Sequence, residues 1–159
     1  MYKKILVPLD GSKLAECALA HVKTIAAGCH VSEVVILRVV EPNPAVSEAL
    51  SEGVTGYDEL NNQMQQVAEN YLTGITFKFR QESGADVHSA LAYGFAANEI
   101  LAYAAKNNID LIIMTTHGRS GVSRWLFGSV AERVSHHSTV PVLIVTPSGC
   151  RSEIPQANK

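Results

Sequence analysis

The sequence predicts an α/β fold, a single doubly wound domain on an open sheet of five parallel strands with helices on both faces. Three observations carry this reading. Short β-branched runs recur without polar alternation, as strands covered on both faces require. Between them lie stretches whose apolar residues step by three or four, the helical period. Gly, Pro, Asp and Asn mark the junctions. At 159 residues, 47% hydrophobic and 18% charged, the chain suits one such domain and is too apolar for disorder except at its ends.

Residues 5–9 form an apolar run closed by Asp10, Gly11 and Ser12, which reads as a buried strand ending in a turn. From Leu14, the positions Leu14, Ala18, Leu19, Val22, Ile25 and Ala26 predict a helix, with Ser12 as its N-cap and Gly28 as its stop. Residues 34–40 are the second strand, ended by Pro42 and Pro44. Residues 41–56 carry prolines and glycines without a clean period and read as a mobile connection. Tyr57, Leu60, Met64, Val67, Tyr71, Ile75 and Phe79 then predict one long amphipathic helix reaching Ser83 and Gly84.

Residues 87–93 read as a strand, Gly94 as a turn, and residues 98–106 as a helix capped by Asn98 or a neighbour. Residues 110–115 are the most strand-like run; they lead into a Gly-rich loop over 117–128 and a helix over 129–137. Residues 140–145 are the last strand. The domain is expected to span 1–146, with 147–159, which hold Pro147, Gly149 and Pro155, as a loose tail.

Thirteen Lys plus Arg against fifteen Asp plus Glu give a formal charge of −2, without the basic field that a nucleic acid partner needs. No apolar run approaches the roughly 20 residues that span a bilayer, and MYKKILVPLDGS meets charge and a turn too early for a signal peptide. Cys17, Cys29 and Cys150 show no metal or redox spacing, and the histidines form no HExxH. A cytoplasmic protein without a dedicated metal site is expected, its cysteines serving as packing residues.

In doubly wound sheets, ligands bind beyond the carboxyl ends of the strands. Residues 115–129 read TTHGRSGVSRWLFGS, with Gly118, Gly121 and Gly128 just before a helix. Glycines can turn backbone N–H groups toward one point, and a helix N-terminus adds free N–H groups and its dipole, so the loop outlines an anion site. Arg119 can add a charge-assisted contact, or be solvated surface charge. Ser129 can bond a phosphate oxygen or cap its own helix. At the first strand end, Asp10 can accept hydrogen bonds from a ribose or base, help hold a metal attached to phosphates, or make an Asx turn or cap the helix that follows. Val39, ending the second strand, either lines an adenine slot or belongs to the core.

The P-loop pattern GxxxxGK followed by Ser or Thr is missing, and no GxGxxG follows the first strand. Gly118, Arg119, Ser120 and Gly121 approach a GxSxG nucleophile elbow, but Val122 stands where its second glycine belongs. An esterase with Ser120, His117 and Asp10 as triad is therefore only weakly signalled.

MYKKILVPLDGS near the start and DLIIMTTHGRSGVSRWLFGSVAERVSHHSTVPVLIV near the end resemble the universal stress protein family, in its nucleotide-binding branch, over about residues 2–146. That branch carries Gly, two residues, Gly, nine residues, Gly and then Ser or Thr. Gly118, Gly128 and Ser129 match, whereas Thr115 replaces the first glycine. The resemblance implies strand order 3-2-1-4-5 and an ATP site, with AMP as the related ligand and Mg²⁺ accompanying the phosphates. Pro8, Leu9 and Asp10 would hold adenine and ribose, and Val39 would face the adenine. Thr115, Thr116, His117, Gly118, Arg119, Ser120 and Gly121 would wrap ribose and phosphates, closed by Gly128, Ser129, Val130 and Ala131.

It also implies a homodimer paired through residues 140–145, whose lack of charge leaves an edge strand unprotected. The loop after the first strand lacks the Ser-Gly-Gly-x-Asp-Ser type sequence of the related ATP pyrophosphatases. The expectation is a nucleotide-dependent regulator of the stress response that hydrolyses ATP slowly at most, since no positioned base or arginine finger stands out. The alternative is a nucleotide-free dimerisation module of the same fold.

Overall fold

A computed structural model describes residues 2–42, 57–116 and 128–146. The chain runs β1 (Lys4–Pro8), α1 (Lys13–Glu16), α2 (Ala18–Cys29), β2 (Glu33–Val40), α3 (Tyr57–Ser83) and β3 (Asp86–Tyr93). It continues as α4 (Ala96–Lys106), β4 (Leu111–Thr115), α5 (Ser129–His137) and β5 (Val142–Val145). The five strands form one sheet in the order β3-β2-β1-β4-β5, and every neighbouring pair is parallel. Both the sheet and its order are those expected.

The strands are apolar on both faces because both faces are covered. Ile5, Val7, Val34, Ile36, Leu111 and Ile113 pack with Ala18 and Val22 of α2 and Leu72 and Phe79 of α3. The alternate residues Leu6, Val35, Leu37, Ile112 and Met114 pack with Ala97 and Ile100 of α4 and Ala131 and Val134 of α5. The period of two along each strand thus feeds two separate cores. Cys29 packs against the first core, and Cys17 and Cys29 are free thiols. No described helix is long and apolar enough to cross a membrane.

Several element bounds differ from expectation, four of them for a visible reason. The first predicted helix is divided at Cys17 into α1 and α2; Ser12 caps α1 as expected, its Oγ accepting from Ala15 N at 3.1 Å. The stop of α2 is His30 in the left-handed region (φ 53°), not Gly28, because Val31 N–H donates back to Ala26 O and Val31 buries its side chain. α4 begins at Ala96 rather than Asn98. Its cap is supplied from outside, with Glu41 Oε1 accepting from Ala96 N at 3.0 Å. Finally, β5 starts at Val142, since Pro141 has no N–H for the ladder. Most of the expected mobile connection (43–56) and the expected tail (147–159) lie outside the described residues.

Asp110 ties the two central strands together where they begin. Its Oδ2 accepts from Lys3 N at 2.8 Å and Lys4 N at 2.9 Å, while its own N–H donates to Lys4 O at 2.9 Å. The two backbone donors hold its carboxyl below the usual aspartate range. A carboxyl depressed in the folded state stabilises the fold above its unfolded pKa, and that contribution fades as pH falls through the folded pKa. Asp110→Ala should therefore lower the urea midpoint at neutral pH and converge on wild type in acid. Urea titrations at several pH values measure it; a pH-independent difference would contradict the assignment.

Candidate functional site at the strand ends

β1 has β2 on one side and β4 on the other, so strand order reverses beside β1, where a doubly wound sheet opens a crevice. A cavity of about 680 Å³ occupies this place. Its floor is the ends of three strands: Pro8 of β1 with Leu9 and Asp10 after it, Leu37 to Val40 of β2 with Glu41 after it, and Met114 and Thr115 of β4 with Thr116 after it. Gly128, Ser129, Val130 and Ala131 at the start of α5 form one wall. Gln63, Met64, Val67 and Ala68 of α3 and Ala96 and Ile100 of α4 form the others.

Ten of the site residues expected from sequence meet here: Pro8, Leu9, Asp10, Val39, Thr115, Thr116, Gly128, Ser129, Val130 and Ala131. The other five, His117, Gly118, Arg119, Ser120 and Gly121, lie outside the described residues. The first and second members of the conceivable hydrolase triad, Ser120 and His117, are among them.

Asp10 makes the turn and also borders the cavity. Its Oδ1 accepts from Ser12 N at 2.9 Å, which is the Asx turn, and the same residue lines the cavity. Gly11 inside that turn has φ +84°, a conformation that disfavours any side chain. The two readings of Ser129 are not equivalent in the structure. Gly128 is the N-cap of α5 and makes no side-chain cap bond, so Ser129 is the first helical residue and does not cap its helix. No side chain of the cap satisfies the N–H groups of this first turn, which borders the cavity.

Two backbone bonds place that helix start. Gly128 N donates to Thr116 O at 2.8 Å, and Thr116 N donates to Val145 O at 3.0 Å. Residues 116 and 128 are thereby held together at the end of β4. Thr115 and Thr116 are nearly buried, at 7% and 8% exposure, which brings two hydroxyl-bearing residues to the floor of an otherwise largely apolar cavity.

Sequence reasoning missed Arg38, Glu41 and the contribution of α3. Arg38 had a local signal, a cation within the apolar run of β2, beside Val39. Its Nη1 donates to Leu9 O at 3.4 Å. Glu41 and the α3 residues had none, because tertiary packing alone brings them to the strand ends. Behind the cavity, the Tyr71 hydroxyl of α3 donates to Glu16 Oε1 at 3.4 Å. Burial, reinforced by the Glu16 carboxylate, pushes this phenol far above its ordinary range. Among the described residues no group of three or more His, Cys, Asp or Glu is arranged to hold a metal ion.

The family model described as the Universal stress protein family matches residues 1–146. The chain belongs to this family. Universal stress protein MJ0531 of Methanocaldococcus jannaschii is 36% identical over 145 residues, covering 91% of this chain and 82% of the relative. Universal stress protein MJ0577 of the same organism is 35% identical, covering 91% and 95%. The solved structure of MJ0577 superposes with a TM-score of 0.78 at 33% identity, covering 92% of this chain and 96% of that one. More distant universal stress proteins share the fold: one in complex with cAMP (TM-score 0.60, 20% identity, covering 92% and 98%), and one from Arabidopsis thaliana with AMP bound (0.65, 14%, covering 99% of each).

Since Ser129 does not cap α5 in this universal stress protein, Ser129→Ala should change stability by less than about 0.5 kcal/mol, the usual range for a substitution away from special features. A capping serine would cost about 1 kcal/mol. Thermal unfolding of the variant distinguishes the two.

Proposed function

We propose that this universal stress protein binds an adenine nucleotide, ATP, in the cavity at the strand ends, with AMP as a related ligand. The observation that supports this best is the mixed chemistry of the cavity lining. Val39, Leu37, Ile100 and Met114 offer an apolar slot, while Asp10, Thr115, Thr116 and the first turn of α5 offer polar groups. An adenine suits the first and a ribose with phosphates the second. A volume of about 680 Å³ falls within the roughly 300–1,000 Å³ of small-molecule sites.

In this reading Pro8, Leu9 and Val39 hold the base and Asp10 the ribose. The α5 start, with Gly128, Ser129, Val130 and Ala131, receives phosphate through N–H groups and the helix dipole. Thr115 to Gly121 wrap the ribose and phosphates, and Thr115 brings a hydroxyl where the family motif has glycine. Mg²⁺ accompanies the phosphates, held chiefly by them. The family members with bound AMP and cAMP support an adenine nucleotide here.

The role is that of a cytoplasmic, nucleotide-dependent regulator in the stress response, with hydrolysis slow at most. A homodimer forms by pairing of the last strand, residues 140–145, with its copy. The position of β5 at the sheet edge and the 37% exposure of Leu143 support that pairing.

Calorimetric titration with ATP, paired with thermal unfolding, tests the binding. A ligand of the native state must raise the melting temperature, by about 2.7 kcal/mol of added stability at a hundred times its Kd. Ser129→Ala and Gly118→Val should weaken ATP without unfolding the domain. Absence of both co-purified nucleotide and any ATP-induced rise would sink the reading, in favour of the nucleotide-free dimerisation module.

A further inference from the structure

The described lining of the cavity contains one cation, Arg38, and two carboxylates, Asp10 and Glu41. Glu41 has a local compensation of its own, because it accepts from Ala96 N at the N-terminus of α4. Asp10 likewise accepts a backbone bond, from Ser12 N at 2.9 Å. Glu16 adds a second carboxylate on α1, the helix that follows this turn, where it accepts from the Tyr71 phenol at 3.4 Å. Lys13 pairs with Glu16 at 2.9 Å but is 91% exposed, so solvent screens it.

Among the described residues Arg38 is the cation that lines the cavity beside these carboxylates. β2 carries it between Leu37, whose carbonyl accepts from Leu9 N at 2.9 Å, and Val39. Its Nη1 reaches Leu9 O, and its guanidinium carbon stands 3.7 Å from where a Cβ on Gly11 would sit. The flat guanidinium therefore lies along the Leu9-Asp10-Gly11 turn, held by a β-strand and presented to the cavity.

We propose that Arg38 is the positioning residue that makes this cavity select a phosphate-bearing nucleotide over the uncharged nucleoside. Two effects combine. Its charge offsets one of the two carboxylates Asp10 and Glu16, so a polyanion meets a less negative field than it would without Arg38. Its fork holds the turn that presents Asp10. A unit charge about 10 Å from a ligand charge, at an effective dielectric of about 20, shifts affinity by more than about tenfold. An uncharged ligand is nearly indifferent to it. The proposal rests on the nucleotide reading above and adds to it a source of discrimination that lies in β2, away from the glycine loop.

The test is calorimetric titration of ATP and, separately, adenosine into wild type, Arg38→Met and Arg38→Lys, at low and high salt. Arg38→Met should lose ATP affinity by about tenfold or more at low salt while adenosine changes by less than about threefold; Arg38→Lys, which keeps the charge, should restore most of the preference for ATP. High salt should narrow the gap between wild type and Arg38→Met. Equal losses for the two ligands, or an unchanged ATP affinity in Arg38→Met, would overturn the proposal while leaving the nucleotide site in place. Should Arg38→Met fail to fold, Arg38→Lys decides alone, because a lost ATP preference with its charge intact refutes the charge argument. Wild type that binds neither ligand overturns the nucleotide reading itself.

Discussion

β1 pairs in parallel with β2 on one side and with β4 on the other, and parallel neighbours require the chain to cross the sheet between strands. Each crossover must carry a helix back over a face. With the order β3-β2-β1-β4-β5, α1, α2 and α3 pack on one face and α4 and α5 on the other. The separation of the two helix layers beside β1 is what leaves room beyond the strand ends. Fully buried Ile5, Leu6 and Val7 serve both cores from the middle of the sheet. Loss of that ladder would remove the cavity along with the fold.

The polar groups of the site are products of the same arrangement. Asp10 and Thr116 follow directly on buried strands, where the chain leaves the ladder and its side chains first become available to a ligand. The start of α5 is brought to them by backbone bonding between Gly128 and Thr116, independent of any side chain. Positioning by main-chain geometry makes the donor set of α5 insensitive to side-chain rotamer, a useful property where phosphate oxygens are to be met by N–H groups.

Much of this was legible in the sequence, for reasons that differ among elements. The strands announced themselves because burial on both faces removes polar alternation, and α3 because seven apolar positions step by three or four across it. Asp10, Thr115 and Gly128 could be placed because they sit at strand and helix ends, positions that local pattern reveals. The ends set by distant partners could not. Glu41 caps α4 from 55 residues away in sequence, so nothing near Asn98 signals that the helix already began at Ala96. His30 took the left-handed position expected of Gly28 because burial of Val31 fixed where α2 had to stop. Arg38 was visible as a cation in an apolar run, yet its meaning depended on the β1 turn packing against it.

The bond from Gly128 N to Thr116 O has an entropic side as well. It joins the two ends of the segment between β4 and α5, so the closure entropy of that loop is already met by the fold, whatever its interior does. The sheet end and the start of α5 thereby form one frame joined through main-chain bonds alone.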